Sequence, residues 1–287
     1  MFVPMRTVNT CSGQQMPPSY PDKGVGFWGS PTSTLDWCEK NYVVTFYIAE
    51  FWNTISNVAF IVPAAISLVK AIDESLELRY IIAYALLTLV GVGSWAFHST
   101  LLYTSQMLDE LPMLFGACSF LYCIWTCNSK EGVRDWSALI LTLTYPIFTS
   151  LVYLTVKEPL FHELCYSIVV CLLIYYSVRV MKKLGGSGRL YFISLSAYVI
   201  AISLWVTEVQ LCPSVRHFRD LVWWPLKPAT QLHAWWHLFT GAASYLHVLF
   251  SCQMRMQRLG YPCKLVSFGG CMPVLKAPPE WTRRKHY

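Results

Sequence analysis

The sequence predicts an all-α integral membrane protein: a seven-transmembrane helix bundle with its N-terminus extracytosolic (lumenal) and its C-terminus cytosolic. Three observations predict it. The first is composition. The chain has 287 residues, 55% of them hydrophobic and only 13% charged, with mean hydropathy +0.41. Soluble domains carry about 25% charged residues. The second is a series of apolar segments at 42–69, 80–98, 108–127, 137–156, 160–180, 190–210 and 231–252, separated mostly by short polar loops. Each meets the requirement of about 20 residues for crossing the hydrocarbon layer. The third is the placement of Lys and Arg. Lys70, Arg79, Lys130, Arg134, Arg179, Lys182, Lys183 and Arg189 fall on one side, with the basic residues from Arg255 to Lys285. Fewer fall on the other: Arg6, Lys23, Lys40, Lys157, Arg216, Arg219 and Lys227. The positive-inside rule makes the richer side cytosolic.

Three regions follow: an N-terminal extracytosolic segment at 1–41, a seven-helix domain at 42–252, and a basic cytosolic tail at 253–287. The first 40 residues are polar, contain Pro17, Pro18 and Pro21, and lack the apolar core of a signal peptide. The first apolar segment is therefore expected to direct insertion. Net charge is +6, but the basic residues are scattered between apolar segments and in the tail. That pattern suits membrane orientation and not nucleic-acid binding. The eleven cysteines make neither a zinc-finger pattern nor a small disulfide framework. Cys118, Cys123, Cys171 and Cys252 lie inside apolar segments, where buried packing is expected. No obligatory protein partner is evident.

The chemistry concentrates at one membrane level. His233 and His237 are four apart, one turn above the other on a single helix face. That spacing lets one rigid element supply two metal ligands; the alternative is a hydrogen-bonded histidine pair inside the bundle. The second segment ends at His98 and the third begins at Asp109-Glu110, both on the extracytosolic side where the last segment starts. His98, His233 and His237 would make a three-histidine site with an open fourth position, the arrangement of catalytic zinc. Such an ion activates water and polarises carbonyls. Ser94 shares a helix face with His98 and could donate to a substrate carbonyl. Asp109 could carry a proton from the attacking water to a leaving group, while Glu110 points about 100° away. The plainer alternatives are small-residue packing for Ser94 and a helix cap for Asp109. His247, about 15 Å deeper than His237, cannot reach the same ion and is expected to be a hydrogen-bonded bundle histidine. His162, His217 and His286 are expected in loops or the tail, solvated or interfacial.

A second cluster precedes the first segment. Asp36, Glu39 and Asn41 are closely spaced oxygen donors, followed by Glu50 inside the apolar stretch. Such donors suit calcium. The alternative is a capped helix start, with Ser33 and Asp36 as a capping-box variant and Glu50 paired to another helix.

The motifs Ser33-Thr34-Leu35-Asp36-Trp37-Cys38-Glu39, Tyr47 to Thr54, Gly93-Ser94-Trp95 with Phe97-His98, Leu108 to Met113, and Gln231 to Tyr245 together resemble the alkaline ceramidases. The likeness is greatest to their phytoceramidase (type 3) branch and runs over most of 26–252. It implies hydrolysis of ceramides, including phyto- or dihydroceramides, to a sphingoid base and a free fatty acid. It also implies residence in the endoplasmic reticulum, the Golgi, or both. By resemblance, catalytic zinc falls to His98, His233 and His237 beside Ser94 and Asp109. A structural or regulatory calcium falls to Asp36, Trp37 through its backbone carbonyl, Glu39, Asn41 and Glu50. A disulfide falls to Cys38 and Cys212.

The first 25 residues and the last thirty or so depart from the pattern. So does Trp205-Val206-Thr207-Glu208-Val209-Gln210 in the sixth segment, where the family usually has an Asp-Asn pair; this departure bears on substrate preference and is expected to leave the metal ligands untouched. Two rival readings remain: a seven-helix receptor of the progestin and adiponectin receptor type with a related zinc site, and a structural or transport bundle held by metal.

Overall fold

The computed structural model describes residues 24–185, 188–270 and 272–284, with side chains to residue 281. Arg6, Lys23, Lys285 and His286 lie outside the described residues. The fold is mainly helical. A short helix α1 (Phe51–Ser56) runs into α2 (Val58–Asp73), followed by α3 (Leu78–Thr100), α4 (Tyr103–Trp125), α5 (Trp136–Val156), α6 (Pro159–Leu184), α7 (Arg189–Leu221) and α8 (Leu232–Arg258). Beyond them lie strands β1 (Lys264–Phe268) and β2 (Met272–Lys276) and a last helix α9 (Pro279–Arg284).

Among the described residues, six helices are long and apolar enough to cross a membrane: α1 with α2, then α3, α4, α5, α6 and α7. The seventh apolar segment forms the 27-residue α8 but falls outside that set. Its position explains its composition. It packs against α1, α2, α3, α4, α6 and α7, so other helices cover most of its surface. A helix shielded this way can carry polar groups that a lipid-facing helix cannot. Peripheral α5 packs mainly on α4 and α6 and carries no charged residue.

Two boundaries differ most from expectation. Residues 42–50 are turns and extended backbone, and the helix begins only at Phe51. The reason lies at the end of α3, whose last carbonyls lack partners within the helix. The N–H groups of Ala49 and Glu50 donate to Ser99 O and His98 O at 2.9 and 3.0 Å. Those of Thr32 and Ser33 both donate to Leu101 O at 3.1 Å. The N-terminal segment therefore closes one end of the bundle. The sixth segment also runs longer than 190–210. Helix α7 breaks its geometry at Leu211 (φ −118°, ψ 18°), two residues before Pro213, and continues to Leu221.

Close helix approach depends on glycine at one decisive place. A Cβ on Gly93 would lie 1.9 Å from Leu108 O. The backbones of α3 and α4 thus touch beside Ser94 and Asp109.

At the opposite end, β1 and β2 form an antiparallel hairpin through Gly269 and Gly270, both at positive φ (60° and 82°). The hairpin returns to the bundle: Tyr245 donates its hydroxyl to Pro273 O at 2.6 Å, and Trp281, almost fully buried, donates Nε1–H to Ser75 O. Three smaller expectations change. His217, expected in a loop, lies exposed on α7, because that helix continues past Pro213 to Leu221. His162 is buried in the first turns of α6 against Tyr153, ring centroids 5.1 Å apart, because the helix starts at Pro159 and turns that face inward. Cys171 is exposed on the outside of the same helix, where lipid and not packing would meet it.

Candidate active site

The structure brings His98, His233 and His237 together. All three are buried, and one nitrogen from each lies within 4.8 Å of the others. Helix α3 supplies His98 from its last turn and α8 supplies the other two from its first two turns.

The hydrogen bonds settle which nitrogens face one another. Glu50 Oε2 lies 2.6 Å from His98 Nδ1, and Glu208 Oε2 lies 3.1 Å from His233 Nδ1. A carboxylate only accepts, so both imidazoles hold their proton on Nδ1. Ser56 Oγ lies 2.7 Å from His237 Nδ1 and already donates to Asn53 O at 2.8 Å. His237 Nδ1 must then be the donor as well. Three unprotonated Nε2 atoms are left converging in a buried space. They cannot hydrogen-bond to one another, and a cation is what such a set accepts. A second partner on each ring that fixes tautomer and orientation is the usual support of histidine metal ligands. Three neutral nitrogens with room for a fourth ligand fit zinc.

Ser94 stands between this centre and Asp109. Its Oγ is 3.4 Å from His237 Nε2, and it hydrogen-bonds the Asp109 carboxyl. Ser94, Asp109 and His237 line the head of an apolar cleft among α2, α3, α4, α6, α7 and α8. Glu110 points elsewhere, as the helix geometry requires: it accepts from Tyr153 at 2.6 Å and from Gln106 at 3.2 Å.

The oxygen cluster at 36–50 sits directly over the histidines. Glu50 links the two. Besides His98, its carboxylate accepts from Asn53 Nδ2 at 3.1 Å and from the Trp37 N–H at 3.3 Å. The Trp37 ring stacks on His233 with centroids 3.9 Å apart. Glu39 caps α1, accepting from the N–H groups of Trp52 and Asn53 at 2.8 and 2.9 Å. The cap is therefore Glu39, and Ser33 instead donates to Leu35 O at 2.7 Å outside any helix. Burial, and next the neighbouring Glu50 carboxylate, push the Glu39 carboxyl up to about 8. Asn41 Oδ1 is buried without a hydrogen-bond partner among the described residues. Crowded buried carboxylates beside an unsatisfied amide oxygen are a donor set suited to a hard cation. The Trp37 carbonyl receives Arg216 Nη2 at 3.5 Å.

Cys38 and Cys212 are joined by a disulfide, with Cα atoms 5.5 Å apart and 174 residues between them in the chain. Beyond the kink in α7, Arg216 and Arg219 donate to Cys38 O at 3.0 and 2.9 Å.

Two residues escape the sequence reading: Ser56, which holds His237, and Glu208. Glu208 was expected to leave the metal ligands untouched, yet it holds His233. Its other oxygen accepts the Cys38 N–H at 3.0 Å. A buried carboxylate at an otherwise apolar helix position was the available signal.

A family model described as ceramidase matches residues 29–269. The chain belongs to the ceramidase family. Membership places it among the ceramidase hydrolases. It is 42% identical over 265 residues to alkaline ceramidase 3 of Mus musculus, covering 91% of this chain and 97% of that one. Alkaline ceramidase YPC1 of Saccharomyces cerevisiae is 32% identical, covering 85% of this chain and 84% of its own. The alkaline ceramidase of Arabidopsis thaliana is 30% identical, covering 87% and 94%.

Proposed function

We propose that this ceramidase hydrolyses the N-acyl bond of ceramides, including phyto- or dihydroceramides, with zinc on His98, His233 and His237. One observation carries the reading. Three buried histidines present unprotonated Nε2 atoms beside a hydrogen-bonded Ser94–Asp109 pair at the head of an apolar cleft. When bound, zinc supplies Lewis-acid activation of water and of the amide carbonyl.

The chain's own residues do the rest. Asp109 takes a proton from the attacking water and returns it to the amide nitrogen as the C–N bond breaks. Water thus divides between the fatty acid, which gains its oxygen, and the sphingoid amine, which gains the proton. Ser94 donates a hydrogen bond to the carbonyl oxygen as negative charge develops there. Glu50, Glu208 and Ser56 keep the three rings aimed. The acyl chain lies in the cleft, entered sideways from the lipid.

A calcium ion on Asp36, Glu39, Asn41, Glu50 and the Trp37 carbonyl would brace the closing segment and modulate activity through Glu50. The bundle sits with α8 as a seventh span, residues 24–50 extracytosolic and the tail cytosolic, in endoplasmic reticulum or Golgi membranes. The basic residues near α5, α6 and α7 on the tail side support this orientation. The receptor alternative is disfavoured, because the matched family and relatives carry the ceramidase name.

The test is hydrolysis of a ceramide panel by purified wild type, His233→Ala and Asp109→Asn. The expected result is product from wild type and near-complete loss in both variants. Wild-type turnover in either variant removes the mechanism, and wild-type indifference to strong calcium chelation removes the regulatory role.

A further inference from the structure

The cleft has a second end. His247 lies ten residues beyond His237 on α8, about 15 Å along the axis, and both line the same cleft. Tyr191 of α7 lines it too. Its ring packs on Phe250 with centroids 5.4 Å apart, and His247 packs on the same ring at 6.1 Å. Tyr191 and His247 therefore both lie at the deep end beside Phe250, and the cleft wall there includes apolar residues such as Leu173 and Leu195.

Both carry an unsatisfied group. His247 Nε2 is 3.0 Å from Ser177 Oγ, as a bundle histidine would be. Its Nδ1, however, is buried with no hydrogen-bond partner among the described residues, and the same holds for the Tyr191 hydroxyl. An unpaired polar atom in an apolar interior is costly unless something in the cavity answers it. An apolar chain end cannot. Water or a hydroxyl can.

We propose that Tyr191 and His247 form a polar floor that binds a hydroxyl, either of water or of a chain bearing one at its far end. This inference rests on the acyl chain occupying the cleft, as proposed above. An unsubstituted chain can extend freely for about 15 Å, on the order of a dozen carbons. A longer one must press its methyl end onto the floor and strip the water held there. The same long chain with a terminal hydroxyl replaces that water and is accepted. The two residues determine specificity and take no part in bond breaking.

The experiment is displacement of a fluorescent fatty acid from the purified full-length protein by medium- and long-chain fatty acids, each with and without a terminal hydroxyl. Wild type, Tyr191→Phe and His247→Leu are compared, and the matching ceramides are assayed for hydrolysis. In wild type the hydroxyl should favour the long chain by about tenfold over its effect on the medium chain. That advantage should vanish in Tyr191→Phe, which keeps the ring, and in His247→Leu. A hydroxyl effect independent of chain length in wild type overturns the proposal, and so does an advantage that survives both variants. Absence of hydrolysis with the binding pattern intact counts against the hydrolase reading alone.

Discussion

Glu208 holds two parts of the site at once. One carboxylate oxygen lies 3.1 Å from His233 Nδ1 and the other accepts the Cys38 N–H at 3.0 Å. The tautomer of a predicted metal ligand is thereby tied to the loop that closes the bundle. Glu208→Ala leaves that imidazole proton without its acceptor. Zinc affinity and kcat/KM should each fall about 10- to 100-fold. Glu208→Gln, which keeps an accepting oxygen, should fall less. Zinc content by elemental analysis, beside the hydrolysis assay, checks both. Equal metal content and activity in wild type and Glu208→Ala would remove the positioning role.

Gly93 sets the distance between Ser94 and Asp109. In Gly93→Ala the new methyl meets the Leu108 carbonyl, and backbone on both sides leaves no flexible group to yield. Forced repacking of this kind costs about 1–3 kcal/mol. The melting temperature of the detergent-purified protein should drop, and hydrolysis should drop further than stability, since the Ser94–Asp109 hydrogen bond lengthens. A variant with unchanged melting and turnover contradicts the close approach.

The Glu39 carboxyl predicts a pH dependence. Its folded value, about 8, lies above the ordinary 4.5, so the cation-free fold binds this proton more tightly than the unfolded chain does. Stability from this group is present at low pH and is lost as pH rises from about 4.5 through about 8. A bound cation requires the ionised form and releases the proton. The stabilisation by calcium should therefore grow with pH over that window. Melting with calcium and with chelator at mildly acid and mildly alkaline pH measures it. A calcium increment constant across the window, or shrinking with pH, sinks the assignment of Glu39 as a ligand.

The Cys38–Cys212 bridge closes a long loop over the site. Removing such a link costs about 2–5 kcal/mol. Cys212→Ser should melt earlier. It should also need more calcium for full activity, because Cys38 lies between Trp37 and Glu39 in the oxygen cluster. Calcium titration of hydrolysis reads this, and an unshifted calcium midpoint would confine the bridge to stability.

How much of this could be read from residue order differs from place to place. Hydropathy located every long helix, because lipid demands about 20 apolar residues wherever a helix faces it. It placed α8 as well, although that helix is the most polar of the set; enough apolar length remained to mark it. The start of the first helix was misplaced at 42 because hydropathy cannot see where N–H groups go. Residues 49 and 50 spend theirs on the last carbonyls of α3.

For the site, spacing by itself determined that His233 and His237 share a face, since four residues make about one helical turn in any context. Charge asymmetry and segment order brought His98 and Asp109 to the same level. Only the tertiary structure decided which nitrogen of each ring faces inward. That depends on Glu50, Glu208 and Ser56, which lie 48, 25 and 181 residues from the rings they hold. Hydrogen-bond direction across such separations is a property of packed helices. No periodicity within one segment encodes it.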